Sequence, residues 1–354
     1  MTQNPNTRLT VAVGVDLPDN AAAAIVEREP RVDLVLNRSL VRPQRWAGDW
    51  EGDPTFRRTA EQDSRFMDSL CRADALFGIP DVDPSLLKRV IDRSQSLQWV
   101  HTTAAGGGGQ VKAASLTSDQ LARIAFTTAA GAHGSTLAEF AVFGIMAGAK
   151  NLRRLERDQA GRLWPSARWY MKHLDEMTVL IAGLGGIGQV CVNRFKAFGS
   201  TVWGMSRSGR AVEGVDRVVA LDELTDVIRE VDAVVITLPG TAATEKMFDS
   251  RVFEAARPGL LISNVGRGSV IDEDALVAAL NSGQVGFAAL DVFASEPLEA
   301  DSPLWSHPKV LVSPHTAALS AQEPVRVAEL FAENARRLLD GERLLKQVDT
   351  VDFY

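Results

Sequence analysis

Cysteine is scarce in this chain of 354 residues, which has two, Cys71 and Cys191. Two cannot build a disulfide framework, and both are expected to pack as small buried side chains. Long apolar runs are missing as well; none approaches the roughly 18 residues that a membrane span requires. The start Met1-Thr2-Gln3-Asn4-Pro5 lacks the basic stretch and apolar segment of a secretory leader, so a cytoplasmic location and no membrane partner are expected. Positive charge is not in excess either: the formal net charge of -7 argues against a nucleic-acid partner. Histidine is sparse. Of the five, His101, His133, His173 and His307 show no spacing typical of a zinc site, and no catalytic metal is expected.

What is there is ordinary for a folded protein, with 45% hydrophobic and 23% charged residues and a length that suits two domains. The strongest local signal is Gly183-Leu184-Gly185-Gly186-Ile187-Gly188. It follows the apolar run Thr178 to Ala182 and precedes a helical pattern. That order is what a dinucleotide pyrophosphate needs, because glycine admits close backbone approach and a helix N-terminus offers free N–H groups.

Apolar runs alternate with helical patterns along the chain, the rhythm of βαβ units. In the first half the strand candidates are residues 9–13, 75–79, 97–100 and 124–127. In the second half there are six, at 178–182, 201–205, 233–237, 260–263, 288–290 and 310–312. Between Arg38 and Arg72 the pattern breaks into a polar stretch with Pro43, Trp46, Trp50 and Pro54, which reads as a loop or irregular insertion. Residues 135–150 are apolar almost all round and read as a buried helix. A helix over about 324–339 would return to the N-terminal domain and make it discontinuous.

From about residue 70 to 320 the chain resembles the D-isomer-specific 2-hydroxyacid dehydrogenases. The matching stretches are Leu97 to Gly107, Gly131-Ala132-His133-Gly134 with Ala138-Glu139, the glycine fingerprint, Leu238-Pro239, Asn264 to Gly268, Asp291-Val292-Phe293 with Glu296-Pro297, and Ser313-Pro314-His315. The resemblance implies an α/β fold of two domains. A doubly wound Rossmann-type nucleotide domain would cover 131–317, and a smaller flavodoxin-like substrate domain 1–130 and 318–354.

Reduction of a 2-oxo acid needs a hydride donor, a proton donor at the carbonyl oxygen, and a cation that holds the carboxylate. His315 suits the proton transfer. Glu296 suits the carboxylate that orients the imidazole, and Arg267 has the planar fork that matches a carboxylate. The resemblance assigns these roles to the same three positions. An amide at the place of Glu296 would be expected for formate dehydrogenase, which makes that activity a poor fit. Thr103 to Gly109 would form an amide nest for the substrate carboxylate, with Ala105, Gly106 and Gly107 at its centre. The chain departs here from the family pattern, which has a bulkier residue and then an acid after the first glycine.

Cofactor choice rests on the end of the second strand of the nucleotide domain. An acid there would favour NAD. This chain has Ser206, Arg207, Ser208 and Arg210, which suit a 2′-phosphate, so NADP is expected, with NAD as the alternative. By resemblance, Gly183, Gly185 and Gly188 shape the pyrophosphate turn, Gly186 and Ile187 present N–H groups, Leu238 and Pro239 flank the adenosine half, and Val265 and Asp291 sit near the nicotinamide. Trp164 and Trp169 fall in an arm that in the family often packs on a second subunit, so a homodimer is expected. Trp46 and Trp50 are candidates for lining the substrate cleft. The expected reaction is reduction of glyoxylate, hydroxypyruvate or a similar small 2-oxo acid to its D-2-hydroxy acid. Two alternatives remain: an NAD-dependent enzyme for a bulkier 2-oxo acid, and a nucleotide-sensing protein of the corepressor type.

Overall fold

The computed structural model describes residues 7–207 and 209–353. Its contacts divide the chain into two compact units, one of residues up to His133 together with Leu319 onwards, the other Gly134–Ala318.

The first unit holds five parallel strands, β1 (Leu9–Val13), β2 (Val32–Val35), β3 (Ala75–Phe77), β4 (Trp99–His101) and β5 (Ala125–Thr127). Their spatial order is β2-β1-β3-β4-β5, that of a flavodoxin-like sheet. β1, β3 and β4 are buried on both faces, which is why they read as apolar runs. Four of the five were legible in that way. β2 escaped because it is an edge strand, with Val32 buried but Val35 41% exposed.

The polar stretch 38–72 is only in part the expected loop: Ala60–Cys71 is a helix. Thr59 caps it, its hydroxyl accepting from the Gln62 amide at 3.2 Å while the Gln62 side chain accepts from the Thr59 amide at 2.8 Å. It buries only Phe66, Met67 and Leu70, a face too narrow to stand out among charged neighbours. The irregular part is pinned by Arg58, whose buried guanidinium bonds Asp81, Asp63 and the Leu40 carbonyl. Trp50 packs on Phe77, ring centroids 5.9 Å apart, and its indole N–H donates to Glu323. Core packing thus accounts for Trp50 without the expected cleft role. Trp46 is half exposed beneath the Arg45 guanidinium.

The long helix Glu323–Leu339 completes this unit. It packs along Asp19–Arg28 and stacks Phe331 on Trp99, centroids 4.5 Å apart.

The second unit has seven parallel strands: β6 (Thr178–Ala182), β7 (Thr201–Met205), β8 (Arg217–Val219), β9 (Ala233–Ile236), β10 (Leu260–Asn264), β11 (Val285–Leu290) and β12 (Val310–Val312). Six were expected. The seventh, β8, is a three-residue edge strand with one buried side chain. The order is β12-β11-β10-β9-β6-β7-β8, so the winding reverses between β6 and β9, where doubly wound sheets bind their ligands. The apolar helix Gly134–Ala149 lies against β10, β11 and the helix Gly186–Ala197. No helix among the described residues is long and apolar enough to cross a membrane.

His101 on β4 is fully buried, its Nδ1 2.8 Å from the Thr127 hydroxyl, which also accepts from the Trp99 indole. Burial pushes its pKa down to about 3. Unfolding lets the ring take up a proton that the folded state refuses, so the unfolded chain binds more protons between the ordinary histidine pKa and about 3. Stability is therefore expected to fall as pH drops through that window, by about 1.4 kcal/mol per unit from this one ring. Denaturant unfolding from pH 7 to 4 should show that slope in the parent and a shallower one in His101→Gln; equal slopes would refute it.

Candidate active site

The fingerprint turn joins β6 to the helix Gly186–Ala197 at the reversal of the winding. Gly183 has φ +109°, and a Cβ on Gly188 would lie 1.9 Å from the Gly183 carbonyl oxygen, so neither position admits a side chain without rebuilding the turn. Thr237, after β9, closes it by donating its hydroxyl to that same carbonyl at 2.7 Å. Among the described residues the amides of Gly185, Gly186 and Ile187 have no acceptor, and a Cβ on Gly185 would meet nothing within 4 Å. Open space in front of free amides at a helix N-terminus can accept a pyrophosphate.

Leu238 and Pro239 follow β9, and the Cβ that Gly266 lacks would lie 2.6 Å from the Leu238 carbonyl oxygen. Val265 is buried, its amide donating to Ile236 at 3.0 Å. At the end of β7 the Ser206 amide donates to Val219. Arg207 follows in a turn, and Ser208 lies outside the described residues. No carboxylate occurs from Ser206 to Val212.

Arg267, Glu296 and His315 come from loops after three neighbouring strands, β10, β11 and β12. Arg267 is exposed, its backbone is extended, and its Nη1 donates to the Gly266 carbonyl at 2.7 Å. Asn264 fixes the backbone on both sides of it, accepting from the Gly266 amide and donating to the Arg267 carbonyl, each at 3.0 Å. His315 Nδ1 lies 2.7 Å from Glu296 Oε2, and the other Glu296 oxygen accepts from the Phe293 amide at 2.9 Å. The Nε2 atom of His315 has no hydrogen-bond partner among the described residues, and half of the ring is exposed. An imidazole anchored at one nitrogen and free at the other can pass a proton.

Asp291 holds this edge. It is 1% exposed, and its Oδ1 accepts from the Ser313 hydroxyl at 2.5 Å and from the Thr316 and Ala317 amides at 2.9 and 3.0 Å. Its carbonyl accepts from the His315 amide at 3.0 Å. Burial pushes the carboxyl above the usual range, against the pull of those donors. Oδ2 is buried without a partner, the kind of acceptor that a carboxamide N–H could satisfy. Sequence reasoning missed Asn264 and Ser313 as supports. Their polar type at strand ends was the available signal.

The small-residue loop after β4 belongs to the first unit. Among the described residues the amides of Ala105 and Gly106 have no acceptor, whereas the Gly107 amide is spent on the Ala104 carbonyl at 3.3 Å. Gly107 instead serves by its lack of a side chain: a Cβ there would overlap the Thr102 hydroxyl at 1.8 Å. Gly108 and Gly109 already belong to a short helix. Among the described residues no group of His, Cys, Asp and Glu side chains is placed to hold a metal ion.

A sheet wound in this order, with free amides at its switch point and an imidazole–carboxylate pair on the same edge, places the chain in the class of nicotinamide-dependent oxidoreductases. The family model for the D-isomer specific 2-hydroxyacid dehydrogenase NAD binding domain matches residues 142–317. The glyoxylate/hydroxypyruvate reductase A of Salmonella paratyphi B is 32% identical over 224 residues, 62% of this chain and 70% of that protein. A D-isomer specific 2-hydroxyacid dehydrogenase family protein from Aeromonas salmonicida is 30% identical in a superposition covering 97% of this chain and 99% of that one, with a TM-score of 0.72. A D-isomer specific 2-hydroxyacid dehydrogenase from Xanthobacter autotrophicus, solved with NADPH and MES, is 27% identical over 98% of this chain and all of that one, with a TM-score of 0.74. The chain belongs to the D-isomer specific 2-hydroxyacid dehydrogenase family.

Replacing Asp291 by Ala would leave one hydroxyl and two amides without their buried acceptor. A loss of about 2–4 kcal/mol in stability is expected, read by denaturant unfolding. A variant as stable as the parent would show that the carboxylate is not the anchor.

Proposed function

We propose that this enzyme reduces a small 2-oxo acid, of the glyoxylate or hydroxypyruvate kind, to the D-2-hydroxy acid with NADPH. The observation that carries the proposal is the His315 ring, tied to Glu296 at 2.7 Å through one nitrogen and free at the other. Residues 131–317 are the nucleotide-binding domain, and residues 1–130 with 318–354 the substrate domain. A bound reduced nicotinamide supplies the hydride. His315 gives its Nε2 proton to the carbonyl oxygen, and Glu296 balances the charge of the imidazolium before the transfer. Arg267 holds the substrate carboxylate and the adjoining oxygen. In the substrate domain the Ala105 and Gly106 amides are the anion-binding groups. Gly107 keeps the loop in shape.

Gly183, Gly185, Gly186, Ile187 and Gly188 hold the pyrophosphate, Leu238 and Pro239 the adenosine half, and Val265 and the free Oδ2 of Asp291 the nicotinamide end. NADPH is preferred because Ser206 and Arg207 follow β7, where an acid would repel a 2′-phosphate, and the sequence continues with Ser208 rather than an acid. The name of the Salmonella relative supports the substrate, and the NADPH in the Xanthobacter structure supports the cofactor. A second copy of the chain is the proposed partner for Leu163, Trp164 and Tyr170, which are 58%, 86% and 101% exposed. Sedimentation as a dimer, lost when Trp164 and Tyr170 are both changed to Asp, is the outcome expected.

Loss of nicotinamide absorbance against glyoxylate, hydroxypyruvate and pyruvate tests the reaction. His315→Ala is expected to lower kcat by about 10²–10⁴, with cofactor binding retained. Ser206→Asp is expected to turn the preference from NADPH to NADH. Turnover indifferent to His315 would refute the proton-transfer role, and an unchanged cofactor ratio in Ser206→Asp would refute the account of cofactor choice.

A further inference from the structure

Glu296 stands on a stretch of the second unit that packing alone does not hold. Phe293 is buried, but Ala294, Ser295 and Glu296 are all exposed. A segment of that kind keeps a side chain in register with His315 only if its main chain is bonded. The Phe293 amide goes to Glu296 itself at 2.9 Å. The next amide, that of Ala294, donates at 2.7 Å to a carboxylate oxygen from another element, Oε1 of Glu273.

Glu273 opens the helix Glu273–Ser282, which in the chain links the Arg267 loop to β11. An acid in the first turn of a helix has a ready explanation in the positive end of the macrodipole. Here that need is met by others. Asp272 caps the helix, accepting from the Ala275 amide at 3.3 Å, and Asp274 adds a charge in the same turn. The Glu273 carboxylate instead reaches out to an amide 21 positions further along the chain. A hydrogen bond to an ionised carboxylate is stronger than one between neutral groups.

A second contact falls on the same peptide. Gly268, next to Arg267, lies so close that a Cβ there would sit 1.8 Å from the Phe293 carbonyl carbon and 2.4 Å from the Ala294 nitrogen. The Phe293–Ala294 peptide is thus walled on one side by Gly268 and drawn at its N–H by Glu273. A wall limits movement in one direction, whereas the carboxylate fixes which way the peptide turns.

We propose that Glu273 is a positioning residue for the reaction: by holding the Ala294 amide it sets the path from Ala294 to Glu296, and with it the 2.7 Å contact between Glu296 and His315. The inference rests on the reading of His315 and Glu296 as the proton-transfer pair. Glu273 acts through the main chain, and the proton moves as described above.

Two variants separate reach from charge. Glu273→Gln keeps an acceptor oxygen at the same reach, whereas Glu273→Asp keeps the charge at the helix start and is one methylene too short. With NADPH and the full chain, kcat for the best-reduced 2-oxo acid is expected to stay within about twofold of the parent in Glu273→Gln and to fall about 10-fold in Glu273→Asp, with KM and the Kd for NADPH little changed. In a Glu296→Ala background Glu273→Asp should cost nothing further, since no carboxylate is left to position. The reverse order, with Glu273→Asp like the parent and Glu273→Gln impaired, would assign the charge to the helix end and overturn the proposal. So would parent-like kcat in both variants, or an undiminished loss in the Glu296→Ala background. If the parent reduces no 2-oxo acid, the reading beneath falls, and a crystal structure of Glu273→Asp decides the positioning alone: Glu296 parted from His315 Nδ1 supports it, and the pair intact at 2.7 Å removes it.

Discussion

A buried carboxylate organises the chemistry-bearing edge of this protein. Asp291 leaves the end of β11 and gathers the turn after β12 through a hydroxyl and two amides, while its own carbonyl takes the His315 amide. Its amide in turn donates to Asn264 at the end of β10. Three neighbouring strand ends are thus tied through one residue. Burying a charged group is unfavourable unless it is bonded, and here the bonding is dense on one oxygen and absent on the other.

The constraint extends to His315. Its backbone has φ +54°, a left-handed conformation that costs a non-glycine residue about 1–3 kcal/mol and persists only where its surroundings over-determine it. The amide bonds to Asp291 and Ser313 provide that, and the Glu296 carboxylate fixes the ring. Strain in the main chain and order in the side chain have one origin. Asn264 does for Arg267 what Asp291 does for His315, holding the backbone on either side of it.

Much of this was legible in the residues alone, for a physical reason in each case. Strands buried on both faces, such as β6 and β9, are apolar throughout and announce themselves. The edge strands β2 and β8 do not, since each has a single buried side chain. The helix Ala60–Cys71 was hidden because its buried face is three residues wide, although the Thr59–Gln62 cap was present in the sequence. At the site, Arg267, Glu296 and His315 were visible as reactive types after strands. The role of Trp50 was not, because its partner Glu323 is 273 positions away, and no local pattern encodes a contact of that range.

The long helix Glu323–Leu339 belongs to the unit that begins the chain, and the tail beyond it pairs with β5, Val348 donating to Phe126 at 2.8 Å. Order of synthesis therefore matters. A ribosome delivers Gly134–Ala318 as one uninterrupted stretch. The first unit must wait with Trp99 and Phe77 uncovered until Phe331 arrives to close over them. Until then the N-terminal segment holds an apolar sheet face whose cover lies about 190 residues or more further along the chain, the kind of transient exposure that favours aggregation.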